Sequence, residues 1–396
     1  MPREVAFWLT GYVFAAVMLG TALPTPLYAI YQRQWHFSSG ILTLIFAVYA
    51  VAVLATLLLA GQVSDQVGRK PVMAAALGFG AASAVVFILA SSPGWLYPAR
   101  ILSGVSAGLM MGTATAALSE MLRESAARRA SMVATAANTA GAALGPLMAG
   151  LFAQYLPRPT VLVFEVFLVF LAAGLLALAF LPETVSRRER ASLRLTGLAI
   201  PAQGRGEFIA AGVAAFAAYA LNGLFASLVP GFTTAMLHHA NYAVAGGVTC
   251  VFFAAGGVSA LGLGRFNSRP VLLAGLGLFL AGLALAVAGM SATSLALFLI
   301  GAIVAGSAFG ALVIGSLSAV NRLAPPETRA EMISTYFVFA YAGLSIPVVG
   351  VGIASDFVGN FRAVLSCSIL LAALCLVSAA LVSGGHVPRH ASHPAE

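Results

Sequence analysis

The chain has 396 residues, of which 61% are hydrophobic and 8% are charged, and its formal net charge is +8. A soluble domain contains about 45–50% apolar and about 25% charged residues, so this composition excludes an ordinary soluble protein and requires a lipid solvent. The cysteines, Cys250, Cys367 and Cys375, are odd in number and lack paired spacing, which argues against a disulfide framework or a zinc site.

Apolar runs of 18 or more residues recur along the whole chain, and each is long enough to span about 30 Å of hydrocarbon. Membrane-barrel strands would alternate in polarity and have about ten residues, so these runs predict helices. We expect an all-α membrane protein with twelve transmembrane helices in two pseudo-symmetric six-helix bundles. The expected spans are 5–27, 39–61, 72–91, 95–120, 130–155, 160–182, 207–230, 242–262, 271–290, 293–320, 331–354 and 361–382.

The placement of the basic residues predicts the topology. If the N-terminus is inside, sixteen of the 20 Lys and Arg fall in inner loops and tails. This positive-inside bias predicts a multi-pass protein of the inner (cytoplasmic) membrane with both termini in the cytoplasm, and it disfavours a nucleic-acid surface. The first run ends in 23–27 without a small-residue cleavage site, so we expect a membrane span and not a removed signal peptide.

The first span carries Pro24 and Pro26 near its outer end, followed by Tyr28 and Tyr31. Two prolines so close together are expected to break the helix there. The span has no embedded carboxylate, because Glu4 lies only at its cytoplasmic edge.

A charged, glycine-containing loop, Gly61-Gln-Val-Ser-Asp65-Gln-Val-Gly68-Arg69-Lys70-Pro71, separates the second and third runs. Such a loop cannot lie in hydrocarbon, so it is expected at the membrane surface. The spacing G-x-x-x-D-x-x-G-R-K-P resembles the loop between the second and third helices of the major facilitator superfamily of secondary transporters. Gln66 stands where that pattern usually has Arg.

The resemblance implies that this loop is part of a conformational latch on the cytoplasmic side. Asp65 would face the N-terminus of the helix that starts near Glu331, where the helix dipole and the free N–H groups favour a carboxylate. Arg69 would pair with a carboxylate at the end of the fourth helix. The alternative is that Arg69 and Lys70 serve only topology. The latch residues are Gly61, Asp65, Gly68, Arg69, Lys70 and Glu120 or Glu124, with the two loop glycines expected in tight turns.

The fourth span contains Arg100-Ile-Leu-Ser-Gly104, and Gly108 continues the glycine spacing. Glycines four residues apart leave a smooth helix face that another helix can approach closely. The pattern R-x-x-x-G resembles the fourth-helix motif of the drug/proton antiporters in the superfamily, which implies a coupling role for Arg100. An intramembrane Arg indicates function by default, but snorkelling to the outer interface is the alternative.

The fifth span contains Gly141-Ala-Ala-Leu-Gly145-Pro146-Leu-Met-Ala-Gly150. It matches the fifth-helix motif of the superfamily's antiporters, which implies a kinked, leak-proof contact between the halves and favours exchange. The alternative is a packing face without directional meaning.

One carboxylate, Glu165, lies inside a span, at about the same depth as Arg100. We therefore expect the two side chains to pair and Glu165 to take up and release the coupling proton. A static ion pair is the alternative.

The polar stretch 183–206 is expected to link two six-helix bundles, 1–182 and 207–383, followed by a disordered cytoplasmic tail, 384–396. Gly104-x-x-x-Gly108 recurs as Gly306-x-x-x-Gly310, and weak internal symmetry of this kind is typical of transporters with a substrate site near the bilayer midplane. Gly264 stands where the first half has Asp65, so the latch is expected on one side only. Histidines in the tail are not expected to bind metal.

The first, fourth, seventh and tenth spans are expected to line the cavity, joined by the fifth. The candidates there carry no charge apart from Arg100, which favours an apolar or weakly polar substrate. Methionine and aromatic side chains can repack around varied ligands. The substrate-binding candidates are Tyr28, Met110, Met111, Asn138, Tyr219, Asn222, Phe225 and Phe309.

The sequence therefore predicts a monomeric secondary transporter in a lipid bilayer, and not an enzyme. We expect proton-coupled efflux by alternating access, that is, antiport of small, largely apolar or weakly polar compounds such as drugs, with the proton gradient as energy source and no cofactor. The sequence contains no phosphate-binding loop, so it does not indicate an ATP-driven mechanism. A proton symporter or facilitator that imports a specific solute is the first alternative, favoured by the missing first-span acid. A non-transporting receptor or assembly factor is the second.

Overall fold

The computed structural model describes residues 2–61, 63–121, 127–184, 197–237 and 241–384. Within these ranges the chain forms helices and no strand. The helices are α1 (Arg3–Ala22), α2 (Tyr28–Trp35), α3 (Ser39–Ala60), α4 (Val63–Val67), α5 (Arg69–Leu89), α6 (Pro93–Met121), α7 (Ala127–Tyr155), α8 (Pro159–Phe180), α9 (Arg205–Leu237), α10 (Tyr242–Leu263), α11 (Ser268–Ser291), α12 (Leu295–Leu323), α13 (Arg329–Val358) and α14 (Asn360–Gly384).

Twelve helices of the described ranges are long and apolar enough to cross a membrane. The predicted all-α, twelve-helix membrane fold is thus confirmed. Most helices extend a few residues beyond the predicted spans, because apolar composition marks the hydrocarbon region whereas a helix continues to its polar cap. Ser38 and Ser294 form such caps, accepting hydrogen bonds from the N–H groups of Ile41 and Leu297.

The first membrane helix is broken where the prolines predicted it. α1 ends at Ala22, residues 23–27 form turns, and α2 begins at Tyr28. The carbonyl oxygen of Pro24 accepts hydrogen bonds from the N–H groups of Leu27 and Tyr28, which closes the turn. The break places Tyr28 and Tyr31 on a short separate helix.

Successive membrane helices run in opposite directions. One end of the bundle therefore carries residues 61, 63–68, 181–184, 197–204, 264–267 and 324–328, and we call this end the linker face. Residues 36–38, 156–158, 292–294 and Gly359 lie at the opposite face. α9 begins at Arg205, so the last two residues of the predicted linker are helical. Gly384 ends α14, and the rest of the predicted tail lies outside the described residues.

The glycines of the fourth and fifth spans lie where helices meet closely. A Cβ atom added at Gly104 would lie 2.6 Å from Ala52 Cβ, and one at Gly108 would lie 2.7 Å from Thr56 Cβ, so both seat α6 on α3. A Cβ at Gly141 would lie 2.5 Å from the carbonyl oxygen of Ala15, which seats α7 on α1. These glycines let the backbones of neighbouring helices approach directly.

The first eight helices and the last six pack against each other mainly through two helix pairs, α3 with α13 and α7 with α10. In the α7–α10 pair, Gly150 faces the carbonyl oxygen of Tyr242, and Gly246 faces that of Pro146. In the α3–α13 pair, Gly352 faces the side chain of Thr43. The candidate site lies between these two seams.

Candidate transport site and gates

At the linker face, the side chain of Arg69 forms ion pairs with two carboxylates. Its Nη1 lies 2.5 Å from the Asp65 carboxylate and its Nη2 lies 2.6 Å from Glu120 Oε1, and Ser64 Oγ accepts a further hydrogen bond. The Arg69 side chain is only 10% exposed. The predicted pair of Arg69 with Glu120 is therefore present, whereas Glu124 lies outside the described residues.

A carboxylate that the sequence analysis did not select, Glu183, caps α5. Its two oxygens accept hydrogen bonds from the backbone N–H groups of Arg69 and Lys70 at 2.9 and 3.0 Å. Gly68 has φ 111°, and a Cβ there would lie 2.7 Å from Glu183 Oε2, so this position requires glycine. Gly61 is a turn residue directly after α3, as expected, but its φ of −57° is one that any residue can adopt.

Lys70 also links the start of α5 to the end of α8. Its Nζ donates hydrogen bonds to the carbonyl oxygens of Ala179 and Leu181, at the end of α8. A carboxylate at the start of α5 and an ammonium group at the end of α8 both match the helix dipoles. Glu183 follows the sixth apolar run directly, and that position is the signal that could have identified it.

The expected contact between Asp65 and the start of α13 is not formed in this conformation. α13 begins at Arg329, close to the predicted start, but within the described residues the Asp65 carboxylate pairs with Arg69 and its side chain is 57% exposed. The linker instead contacts α13, where Ala199 N–H donates to Thr335 Oγ1 and Thr335 Oγ1 donates to the Ala199 carbonyl oxygen. In this conformation Asp65 therefore acts within the first half, where it pairs with Arg69 four residues further along the chain.

The second half has its own charged network at the linker face. Arg322, at the end of α12, pairs with Glu207 at the start of α9 and donates a hydrogen bond to Ser268 at the start of α11. The expectation of a one-sided arrangement missed this network, because the acid and the base stand on different helices from those of the first half.

At the opposite face, a carboxylate joins the halves in a way that the sequence analysis did not predict. Asp356, near the end of α13, accepts hydrogen bonds from the backbone N–H groups of Ser39 and Gly40, each at 3.2 Å. These are free N–H groups of the first turn of α3, where a negative charge is stabilised. Below this cap, Gly352 contacts Thr43. We call Asp356, Ser39, Gly40, Gly352 and Thr43 the opposite gate.

Two further hydrogen bonds tie the halves at that face through one residue of α10. Arg33 Nη1 donates to the hydroxyl of Tyr242 at 3.1 Å, and the backbone N–H of Tyr242 donates to Gln154 Oε1 at 3.0 Å. The opposite face is thus closed by contacts on both helix seams.

Midway along the helices, aromatic and sulfur groups of both halves meet. The ring of Tyr219 on α9 lies 5.7 Å from that of Phe309 on α12 and 5.7 Å from that of Tyr341 on α13. The hydroxyl of Tyr341 lies 3.8 Å from Met111 Sδ on α6. We call these four residues the central aromatic cluster. Three were predicted; Tyr341 was missed because it lies on the eleventh span, which was not expected to line the cavity.

The remaining predicted lining residues lie elsewhere. Phe225 stacks on Phe252 at 4.6 Å and on Phe298 at 6.0 Å, within the packing of the second half. Met110 and Tyr28 are fully buried. Asn138 and Asn222, also predicted, are half-buried. A helix turns 100° per residue, so adjacent positions such as 110 and 111 face different neighbours.

Arg100 lies inside the first half with its side chain 1% exposed. Its Nη1 donates to the carbonyl oxygen of Thr21 at 2.9 Å, and its guanidinium carbon lies 4.0 Å from the ring centre of Tyr49 and 5.7 Å from that of Phe46. The alternative of snorkelling to the surface is therefore wrong, because the group is packed between rings.

The expected ion pair of Arg100 with Glu165 is not formed among the described residues. Glu165 is exposed on α8, whose buried face carries Val163, Phe164 and Phe167. Equal depth in the bundle did not place the two side chains on facing sides of their helices. The proton role of Glu165, which depended on that pair, loses its structural support.

Twelve apolar helices in two halves, with a polar gate at one face and an aromatic cluster between the halves, define a multi-pass membrane transporter. The sequence matches the family model of the Major Facilitator Superfamily over residues 10–347, and the chain belongs to that superfamily. It is a transporter and not an enzyme.

Two characterised relatives show partial similarity. The puromycin resistance protein pur8 of Streptomyces alboniger is 34% identical over 161 residues, which cover 39% of this chain and 32% of that protein. Multidrug resistance protein 2 of Bacillus subtilis (strain 168) is 28% identical over 191 residues, which cover 48% of this chain and 47% of that protein. The chain thus spans less than half the length of the curated relatives it matches.

Solved structures resemble the whole chain at low identity. A bacterial homologue of the human lysosomal transporter Spinster, in an inward-facing and unoccupied conformation, has a TM-score of 0.70 at 14% identity and covers 98% of this chain and 99% of its own. A POT family transporter in complex with 5-aminolevulinic acid has a TM-score of 0.76 at 10% identity and covers 97% of each chain. A point mutant of the nucleoside transporter NupG has a TM-score of 0.72 at 14% identity and covers 96% of this chain and 99% of its own. These similarities concern the fold.

Proposed function

We propose that the protein is a monomeric, proton-coupled antiporter that exports small, largely apolar or weakly polar compounds such as drugs. The observation that carries this proposal is the central aromatic cluster, because its rings and thioether come from both halves and present no charge. Such a surface binds apolar and aromatic ligands and adapts to their shape. Two relatives named as resistance proteins support an efflux role.

The direction of transport is proposed from the fifth-helix motif. Gly141 and Gly145 seat α7 on α1, and Gly150 seats the same helix on α10 of the other half. A helix that packs closely against a neighbour on both sides restricts the leak of ions between the halves. This property suits the exchange of a substrate for protons. We place the linker face in the cytoplasm of a cell with the protein in its inner membrane, in agreement with the excess of basic residues there.

We propose alternating access from the different contacts that join the halves at the two faces of the bundle. In this conformation the opposite gate is closed, while Asp65 is held by Arg69 within the first half. Opening toward the opposite face requires that Asp356 leave the N–H groups of α3. In the proposed outward-open state, Asp65 reaches the start of α13, and the halves rock about the central aromatic cluster.

Transport in everted membrane vesicles tests this proposal. Antiport predicts that adding a substrate, from a panel including puromycin and ethidium, releases protons from vesicles acidified by respiration. Vesicles without the protein and vesicles with the Asp65→Asn variant serve as controls, and both should give a reduced response. Proton release at the control level for every compound would contradict the proposal.

Import by proton symport, or facilitated import of a specific solute, is the second candidate. The facilitator form of this candidate is favoured by one observation: among the described residues, no Asp or Glu is buried in the helix bundle where it could exchange a proton with a substrate. Right-side-out vesicles distinguish the two candidates, because symport predicts substrate accumulation driven by an inward proton gradient, whereas antiport predicts substrate exclusion.

A further inference from the structure

The positive charge of Arg100 is buried without a counter-ion in the described part of the chain. The guanidinium group makes one hydrogen bond to a neutral carbonyl oxygen, that of Thr21, and contacts the ring of Tyr49. No Asp or Glu of the described residues is buried, and no carboxylate there lies within ion-pair distance of Arg100. Burial of a charge without an opposite charge is unfavourable, so this site favours an anion.

Unpartnered polar atoms gather at the same place. Four buried side-chain polar atoms in the described residues have no hydrogen-bond partner, and three of them are Arg100 Nε and the hydroxyls of Tyr28 and Tyr31. Arg100 donates a hydrogen bond to the carbonyl oxygen of Thr21 at the end of α1, and after the turns at 23–27 Tyr28 and Tyr31 follow one helical turn apart on α2. Tyr28 lies within electrostatic range of Arg100. Buried polar groups are nearly always hydrogen-bonded, so a cluster of three exceptions indicates a missing partner.

The three groups are all able to donate hydrogen bonds. The guanidinium N–H groups have no acceptor capacity, and a tyrosine hydroxyl donates one hydrogen bond. The break at Pro24 and Pro26 places Tyr28 and Tyr31 on a short helix directly after the end of α1, where the Arg100 side chain donates to the carbonyl oxygen of Thr21. A water molecule would satisfy some of these donors, but only an anion would also neutralise the charge.

The ring of Tyr49 connects this place with the transport site. One face of the ring covers Arg100, and Tyr49 belongs to α3, which packs against α13, the helix that carries Tyr341 of the central aromatic cluster. A carboxylate carried by a substrate in the cluster is therefore one source of the anion, and a free halide is another.

We propose that Arg100, Tyr28 and Tyr31 form a buried site for a monovalent anion, either a carboxylate or a free halide. Where the anion belongs to the substrate, this inference rests on the proposed transport function and extends the substrate class to compounds that combine an aromatic body with one carboxylate. Where it is a halide, the site is independent of that function.

Ligand-dependent thermal stability of the purified full-length protein tests the site without any transport measurement. Sodium bromide is compared at constant ionic strength with sodium gluconate, a carboxylate whose five hydroxyl groups and lack of an aromatic body keep it out of an apolar aromatic site. Sodium benzoate is compared with the neutral isostere benzamide. We expect a saturable stabilisation by bromide, by benzoate or by both, and none by gluconate or benzamide. A response to bromide alone identifies a halide site, and a response to benzoate alone identifies a substrate carboxylate.

Variants then locate the stabilising anion. Arg100→Gln and the double variant Tyr28→Phe with Tyr31→Phe should raise the half-saturating concentration about tenfold, while Tyr155→Phe, at an exposed tyrosine, should leave it unchanged. If Arg100→Gln does not fold, the tyrosine variant alone decides.

Two results would overturn the proposal. Absence of a saturable response in the unmodified protein means that the donors hold only water, and an undiminished response in the tyrosine variant places the anion elsewhere. Neither result bears on proton release in everted vesicles, so a failure of the anion site is distinguishable from a failure of the efflux proposal.

Discussion

The carboxylate of Asp356 caps the first turn of α3 in the other half of the molecule by accepting a hydrogen bond from the N–H of Gly40, with a second one from Ser39. The bonds join a side chain to backbone groups, so they depend on the charge of one residue and on the position of one helix end. A side-chain cap of this kind contributes about 0.5–2 kcal/mol. This range is small enough for the gate to open and close during a transport cycle.

Asp356→Asn should shift the protein toward states open at the opposite face. Loss of about 1 kcal/mol would change the ratio of open to closed states about fivefold. The measurement is the labelling rate of a cysteine introduced at Thr43, which is buried beneath the gate, in a background without the native cysteines. Glu327→Gln, at an exposed acid of the linker face, is the matched control and should leave labelling unchanged. Equal labelling of the Asp356 variant and the control would count against the gate.

Asp65 and Glu120 should respond differently to loss of their charges, although both pair with Arg69. Glu120→Gln leaves a largely buried guanidinium group with a weaker partner and should lower stability by about 2 kcal/mol. Asp65 is mostly exposed, so Asp65→Asn should change stability by less than about 0.5 kcal/mol. Transport should nevertheless fall in the Asp65 variant, because its proposed contact with α13 belongs to the other conformation.

Thermal unfolding and vesicle transport of both variants check these expectations. A large loss of stability in Asp65→Asn would mean that the residue acts only as part of the Arg69 network. Unimpaired transport by that variant would remove Asp65 from the latch.

Tyr219 and Phe225 are both aromatic residues of α9, and the structure separates their roles. Tyr219 belongs to the central aromatic cluster, so Tyr219→Ala should raise the KM for an exported aromatic compound about tenfold, since an aromatic contact contributes about 0.5–1.5 kcal/mol beyond its buried area. Phe225 packs on Phe252 and Phe298 within the second half. Phe225→Leu should therefore lower the melting temperature and leave KM unchanged. The reverse result would place substrate at Phe225.

Residues 95–120 show how much of the molecule the sequence predicted. The apolar length and glycine spacing of this run predicted α6 and its close packing, because both depend on local composition. The network around Arg69 was predicted in part, since Glu120 follows from the resemblance to the superfamily. Glu183, Asp356 and Tyr341 were missed because their roles depend on which helix ends and helix faces meet in three dimensions. The wrong prediction of an ion pair between Arg100 and Glu165 has the same cause. The depth of a residue in the bundle can be counted along its helix, but the direction in which its side chain points cannot be inferred from that depth.

Glu165→Gln should leave both transport and its dependence on pH unchanged. The side chain is exposed on α8 and makes no ion pair with Arg100 among the described residues, so its charge has no route to the central aromatic cluster. Initial transport rates across a range of external pH, compared with those of the unmodified protein, provide the measurement. A shifted pH profile would restore Glu165 as a coupling residue.

Gly246 and Gly247 form a matched pair on α10 that tests the contact between the halves. A Cβ at Gly246 would lie 3.1 Å from the Cα of Gly150 and closer still to the carbonyl oxygen of Pro146, whereas a Cβ at Gly247 would meet no atom within 4 Å. Gly246→Ala should therefore force α7 and α10 apart, lower stability by about 1–3 kcal/mol and abolish transport. Gly247→Ala should be neutral or stabilising by up to about 1 kcal/mol, because alanine is the better helix former. Thermal unfolding of the two variants decides the matter directly, and similar behaviour of both would mean that the seam between α7 and α10 does not have the close packing described.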